Sequence, residues 1–128
     1  MSGSKPYAIT AAVLSGAHVL VTGVTCMSNN NQLTGNIGGI ISYNMVSVIV
    51  LMAIFVCLVV GKTKQDDDAP NTPAHAMYTS SLSILAVLVA ISIMNKGESQ
   101  NCQSLYGYSK GALLAILTVL TAIGAKNA

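Results

Sequence analysis

The sequence predicts an all-α integral membrane protein: a four-helix bundle, made of two helical hairpins, with both termini on the same side. Only 8% of the 128 residues are charged, against about 25% in an ordinary soluble domain. Hydrophobic residues make up 52% of the chain, and the mean hydropathy is +0.63. Four apolar stretches each reach the length of about 20 residues that a membrane crossing needs. The length fits a single transmembrane domain over residues 1–128.

The first helix is predicted over residues 7–27. Lys5 precedes it, and the polar run Ser28–Gln32 follows it, which hydrocarbon would not accept without partners. The stretch is longer and richer in Thr than the apolar region of a secretory signal, and Cys26-Met27-Ser28 is a poor cleavage site. We therefore expect this helix to remain in the mature protein.

The second helix is predicted over residues 37–61. Its half from Met45 to Val60 is apolar almost without interruption, and Lys62, Lys64 and three Asp residues follow Gly61, with Pro70 beyond. Such a run ends a helix and begins a solvated turn. The three acids lack the alternation and the distant Glu of a calcium-binding loop.

The third helix is predicted over residues 74–94, where Asn95-Lys96-Gly97-Glu98 stops it, and the fourth over residues 106–125. The fourth stretch is the least apolar, because Ser109 and Lys110 lie in its first turn. We expect the Lys110 side chain to extend to the outer membrane surface, as long cationic side chains near helix ends do.

The distribution of lysines predicts the orientation. Four crossings place Lys5, Lys62, Lys64 and Lys126 on one side, and Lys96 and Lys110 on the other. The positive-inside rule then puts both termini on the cytoplasmic side. We also expect Tyr43 near the outer interface, where its hydroxyl can stay in contact with water.

Small residues at four-residue spacing predict close helix packing, on which association in lipid relies. Such patterns favour packing within this chain or, as the alternative, against another subunit. The predicted packing residues are Ala12, Gly16, Gly35, Gly39, Gly107, Gly111 and Ala115.

Cysteine depth predicts one disulfide. The topology puts Cys26, at the end of the first helix, and Cys102, in the third loop, at the outer face, whereas Cys57 is deep in the second helix. Only Cys26 and Cys102 match in depth, so we expect them to pair if that face is oxidising. The alternative is that they are two unrelated thiols.

His18 and Asn44 are the candidate polar residues within the bilayer. An ionisable group at the depth of His18 is a functional candidate by default, with Ser15 and Thr22 one turn away as partners. His18 is a neutral packing residue, part of a channel or transporter, or a cofactor ligand. An Asn at the position of Asn44 bridges helices or, as the alternative, lines a pore.

The sequence carries no signature of chemistry. No acidic residue lies within a predicted span, and no phosphate-binding loop, metal motif or catalytic triad occurs. We therefore expect no enzymatic activity, no cofactor and no metal. Six thinly spread lysines also make no basic patch for nucleic acid.

These observations favour a non-catalytic structural or accessory subunit of a larger assembly. Its expected partners are the lipid bilayer and other membrane, complex or capsid subunits. An energy-transducing membrane complex and a virion with an internal membrane are both consistent with the sequence. The alternative is a small homo-oligomeric channel or transporter that uses His18 and Asn44.

Overall fold

Four long helices form the protein in the computed structural model, which describes residues 5–28, 33, 36–37, 41–67, 72–94 and 102–127. Each helix is long and apolar enough to cross a membrane. The predicted multi-pass four-helix architecture is thereby confirmed. The helices are α1 Lys5–Ser28, α2 Tyr43–Asp67, α3 Thr72–Met94 and α4 Leu105–Asn127.

The helices form a closed ring. Each packs against its neighbours in sequence, and α1 also packs against α4. The two hairpins, α1–α2 and α3–α4, put both termini at one end of the bundle. We call this the termini end and the opposite end, which contains Cys26 and Cys102, the disulfide end.

The second helix begins at Tyr43 and not at residue 37 as predicted. The preceding segment forms a small antiparallel pairing of β1 (Asn36–Ile37) with β2 (Ile41–Ser42). Ser42 then caps the helix, because its Oγ accepts a hydrogen bond of 3.2 Å from the backbone N–H of Met45. At its other end α2 continues past residue 61 to Asp67. The apolar pattern indicated the span but not these ends.

The buried residues recur at alternating spacings of three and four along each helix. This heptad spacing is typical of helices that pack with a small left-handed crossing angle, in lipid as in water. The clearest series are Ala8, Ala11, Ser15, His18 and Thr25 on α1, Ser47, Leu51, Ile54 and Leu58 on α2, Tyr78, Ser81, Leu85 and Leu88 on α3, and Lys110, Leu114, Leu117 and Thr121 on α4.

Leucine and isoleucine side chains fill the middle of the bundle, and Ala8, Met77 and Tyr78 extend this core toward the termini end. Two glycines allow close packing there. A Cβ atom at Gly61 would lie 2.7 Å from the Tyr78 ring, and one at Gly124 would overlap the Met77 side chain. The central core residues are Leu51, Ile54, Leu58, Leu85, Leu88, Leu114 and Leu117.

A second apolar cluster lies at the disulfide end. Leu33, from the segment between α1 and α2, is fully buried together with Tyr43. Cys26 and Cys102 pack against the same pair. Apolar side chains therefore fill the bundle at the disulfide end as well as in its middle.

Candidate functional site

A cluster of polar side chains lies between these two apolar regions. His18 and Thr22 come from α1, Tyr43 and Ser47 from α2, and Lys110 from α4. We call these five residues the polar cluster. Ser47 is four residues from the start of α2, which places this layer about 6 Å along that helix.

The heptad spacing determines which polar residues meet. Ser47 precedes Leu51 and Ile54 by four and seven residues, so it shares their buried face. Lys110 bears the same relation to Leu114 and Leu117. Ser47 and Lys110 were not predicted as site residues. The signal that could have identified them in the sequence is their spacing from the apolar residues on the same helix.

The Ser47 hydroxyl is the centre of the cluster. Its Oγ lies 2.8 Å from Nε2 of His18 and accepts a hydrogen bond of 3.0 Å from Nζ of Lys110. One hydroxyl thus joins α1, α2 and α4. Ser47 exposes 3% of its surface and Lys110 1%, so both interactions lie in a low-dielectric interior, where hydrogen bonds are stronger than in water.

Thr22 forms the second junction. Its Oγ1 donates to the carbonyl oxygen of His18 at 2.8 Å, lies 2.6 Å from the Tyr43 hydroxyl and lies 3.2 Å from Nδ1 of His18. With the Thr22 proton on the carbonyl, Thr22 Oγ1 can accept from the Tyr43 O–H and from an Nδ1–H of His18. In that tautomer, Nε2 of His18 accepts from the Ser47 hydroxyl, while Ser47 accepts from Lys110.

Lys110 is buried, and the prediction that it extends to the outer surface is wrong. Its Nζ lies 4.7 Å from the centroid of the Tyr43 ring, within range of a cation–π interaction. The His18 ring meets the Tyr43 ring edge-on, with centroids 5.9 Å apart. Tyr43 begins its span, at the expected depth, but it is fully buried, so its hydroxyl does not reach water as expected. Inside the bundle, Ser47, Thr22 and the aromatic face replace the interactions that water would supply.

Asn44, which we expected to bridge helices or to line a pore, does not belong to the polar cluster. It is exposed on the outside of α2, where it lines a groove between α2 and α3. The buried stripe of α2 runs through Tyr43 and Ser47. Because Asn44 directly follows Tyr43, its side chain is rotated around the helix away from that stripe. Of the two partners considered for His18, Thr22 contacts it, whereas Ser15 donates to the carbonyl of Ala11.

The structure joins Cys26 and Cys102 by a disulfide, with their Cα atoms 6.1 Å apart. This is the pair that their shared depth predicts. The bond links the end of α1 to the segment before α4, and therefore one hairpin to the other. Cys57 is a free, partly buried thiol on α2.

The predicted packing residues occupy different environments. Ala12, Gly16, Gly107 and Gly111 are half-buried, and a Cβ atom at Gly16 would lie 3.9 Å from Thr118 Cγ2 of α4. A Cβ atom at Gly111 would meet nothing within 4 Å, so this glycine is not needed for close approach. Ala115 faces outward. Gly35 and Gly39 lie outside the described residues.

Within the described part of the chain, no group of three or more His, Cys, Asp or Glu side chains could hold a metal ion. The polar cluster itself offers one imidazole, hydroxyl groups and an ammonium group. No protein-family model, curated protein or solved structure matches this chain.

Proposed function

We propose that the chain is a non-catalytic structural or accessory subunit of a larger membrane assembly, and that it contacts its neighbour through the outer face of α4. The observation that carries this proposal is the outward position of Ala115. Ala112 and Ala122 are exposed on the same helix, at heptad spacing from it. Together with Val119, they form an exposed stripe that we call the α4 outer face.

Small side chains on an outer helix face favour contact with another helix, since close backbone approach drives helix association in lipid. By the same reasoning, the exposed face of α2 is suited to lipid and not to another helix. Between Met45 and Val59 every exposed residue of α2 is large and apolar, as suits contact with lipid chains. The exposed residues of this α2 face are Met45, Val48, Ile49, Met52, Phe55, Val56 and Val59.

The surroundings of the polar cluster support a structural role for it. Leu33 and the Cys26–Cys102 pair cover it at the disulfide end, and leucine layers follow it toward the termini end. Ser47 and His18 have the separation of a nucleophile and its base. Hydrolysis also needs water, however, and both side chains are almost completely buried. In our proposal the cluster fixes the relative positions of three helices.

The experiment compares two matched substitutions in native membranes. Ala115→Leu enlarges the α4 outer face, and Ala17→Leu makes the same change on the exposed face of α1, between the exposed Val13 and Leu20. After mild detergent extraction, the wild-type chain and Ala17→Leu should migrate in one complex far larger than the 13.2 kDa chain. Ala115→Leu should release the chain from it. Wild-type protein extracted only as a monomer would contradict the proposal.

The second candidate is a small homo-oligomeric channel or transporter, and one observation favours it: a lysine and a histidine share one hydroxyl inside the bundle. Purified protein in liposomes distinguishes the two candidates. A structural subunit passes no ion or small solute. A reproducible flux that is lost in His18→Ala but retained in Asn44→Ala, which changes an exposed polar residue, would favour the transporter.

A further inference from the structure

The Cys26–Cys102 bond lies directly over the polar cluster. Cys26 is four residues beyond Thr22 on α1, which is about 6 Å along the helix. Both cysteines pack against the buried pair of Leu33 and Tyr43, and the Tyr43 hydroxyl lies 2.6 Å from Oγ1 of Thr22. This pair therefore has the disulfide on one side and, through Tyr43, the polar cluster on the other. We call Leu33 together with the Cys26–Cys102 bond the disulfide cover.

The disulfide and the cluster beneath it differ in exposure. Cys26 is two residues from the end of α1, and Cys102 precedes the start of α4. Both cysteines are partly exposed, whereas His18 exposes only 2% of its surface. A small reductant in the water at the disulfide end can therefore reach the bond, while the cover separates that water from His18.

The junction at Ser47 depends on the absence of water. Its hydroxyl joins α1 to α4 through His18 and Lys110, and such hydrogen bonds are stronger in a low-dielectric interior. Water that enters competes for the same donors and acceptors, so the net stabilisation falls. The leucine layers toward the termini end contain neither Cys26 nor Cys102. Opening of the cover can therefore loosen the junction while these layers stay packed.

We propose that the disulfide cover is a redox-sensitive switch. The intact bond keeps the polar cluster dry, and its reduction by a low-molecular-weight thiol admits water to His18 and loosens the junction of α1, α2 and α4. Two thiols, RSH, convert the bond into the thiols of Cys26 and Cys102 and leave as one disulfide, RSSR, so two electrons and two protons pass to the protein. This inference does not depend on the proposed subunit role.

The test measures how fast water reaches His18. The purified full chain in phosphatidylcholine nanodiscs is placed in D₂O, with or without dithiothreitol, and mass spectrometry follows exchange of the imidazole C2 hydrogens. His75, the other histidine of the chain, is exposed on α3 near the termini end and serves as the internal reference. Without reductant, His18 should exchange about tenfold or more slowly than His75. Dithiothreitol should accelerate His18 by about tenfold or more and leave His75 unchanged.

A matched pair of cysteine variants assigns the response to this bond. Cys102→Ser should show fast exchange at His18 without reductant, and dithiothreitol should add nothing. Cys57→Ser removes the free thiol on α2 and should respond to dithiothreitol as the wild type does. The wild type is folded before dithiothreitol is added, so its response decides the question even if Cys102→Ser fails to fold.

Three outcomes would overturn the proposal. Slow exchange at His18 after both cysteines are shown to be alkylated would mean that the bond does not keep water out. Exchange at His18 as fast as at His75 before reduction would mean that the cluster is already wet. Faster exchange of the backbone amides of Ile54 and Leu58 on reduction would show that the bond holds the whole bundle together. None of these outcomes bears on the native complex tested with Ala115→Leu, so the two proposals succeed or fail separately.

Discussion

Nζ of Lys110 lies 3.0 Å from Oγ of Ser47, and this contact joins α4 to α2 across 63 residues of sequence. The same oxygen lies 2.8 Å from Nε2 of His18 on α1. A single hydroxyl therefore satisfies polar groups of two other helices. Because a buried polar atom that loses its partner retains the cost of its desolvation, Ser47 is the residue on which the polar cluster most depends.

Ser47→Ala should destabilise the bundle by about 1–2 kcal/mol, since it leaves His18 and Lys110 without their shared partner. Ser15→Ala is the matched control. Ser15 is also fully buried, but its described bond is to the carbonyl of its own helix, so the cost should stay within about 0.5 kcal/mol. Reversible unfolding in mixed micelles gives both values. Equal effects of the two substitutions would show that the hydrogen bonds of Ser47 to α1 and α4 do not stabilise the bundle.

Lys110→Met should fold at least as stably as the wild type. Methionine keeps most of the apolar stem and removes a buried charge, a replacement that is often neutral or stabilising in protein interiors. Lys110→Ala removes the stem as well and leaves a cavity, so it should cost about 2 kcal/mol or more. Thermal unfolding of both variants in one detergent tests this order. A Met variant as unstable as the Ala variant would show that the charge itself stabilises the bundle.

Gly61→Ala should destabilise the termini end by about 1–3 kcal/mol, because its Cβ would lie 2.7 Å from the rigid Tyr78 ring. Gly124→Ala should cost less, since the flexible Met77 side chain can move aside. Gly111→Ala meets nothing within 4 Å and should be neutral or stabilising by up to about 1 kcal/mol, because alanine is the better helix former. Melting temperatures of the three variants should follow this order, and a destabilised Gly111→Ala would contradict it.

Peptide mapping without reduction should recover Cys26 and Cys102 in one linked fragment, with Cys57 as the thiol that alkylates after unfolding. Their loop closes over 76 residues, so Cys102→Ser should cost about 4 kcal/mol on the chain-entropy model. Cys57→Ser is the control and should leave stability nearly unchanged. Recovery of an alkylated Cys102 from the native protein would exclude the bond.

Much of this architecture follows from composition and charge position. Ten charged residues among 128 leave four apolar stretches, and hydrocarbon accepts these only as helices whose backbone groups pair internally. The number of helices and the shared side of the termini follow from this rule, which needs no tertiary contact. The depths that the four crossings assign to Cys26 and Cys102 are likewise enough to identify these two residues as a candidate pair.

The start of α2 and the members of the polar cluster depended on tertiary structure. α2 begins at Tyr43 because Ser42 caps the helix and the residues before it form the β1–β2 pairing. Neither interaction can be read from the hydropathy of the sequence. For a single lysine in lipid, the nearest polar partner is the water at the membrane surface, and the prediction for Lys110 assumed this. In the folded bundle, Ser47 and the Tyr43 ring lie much closer to Nζ of Lys110 than that surface. The sequence alone determines how costly a charge is in hydrocarbon, but only the packed helices determine which groups replace its water.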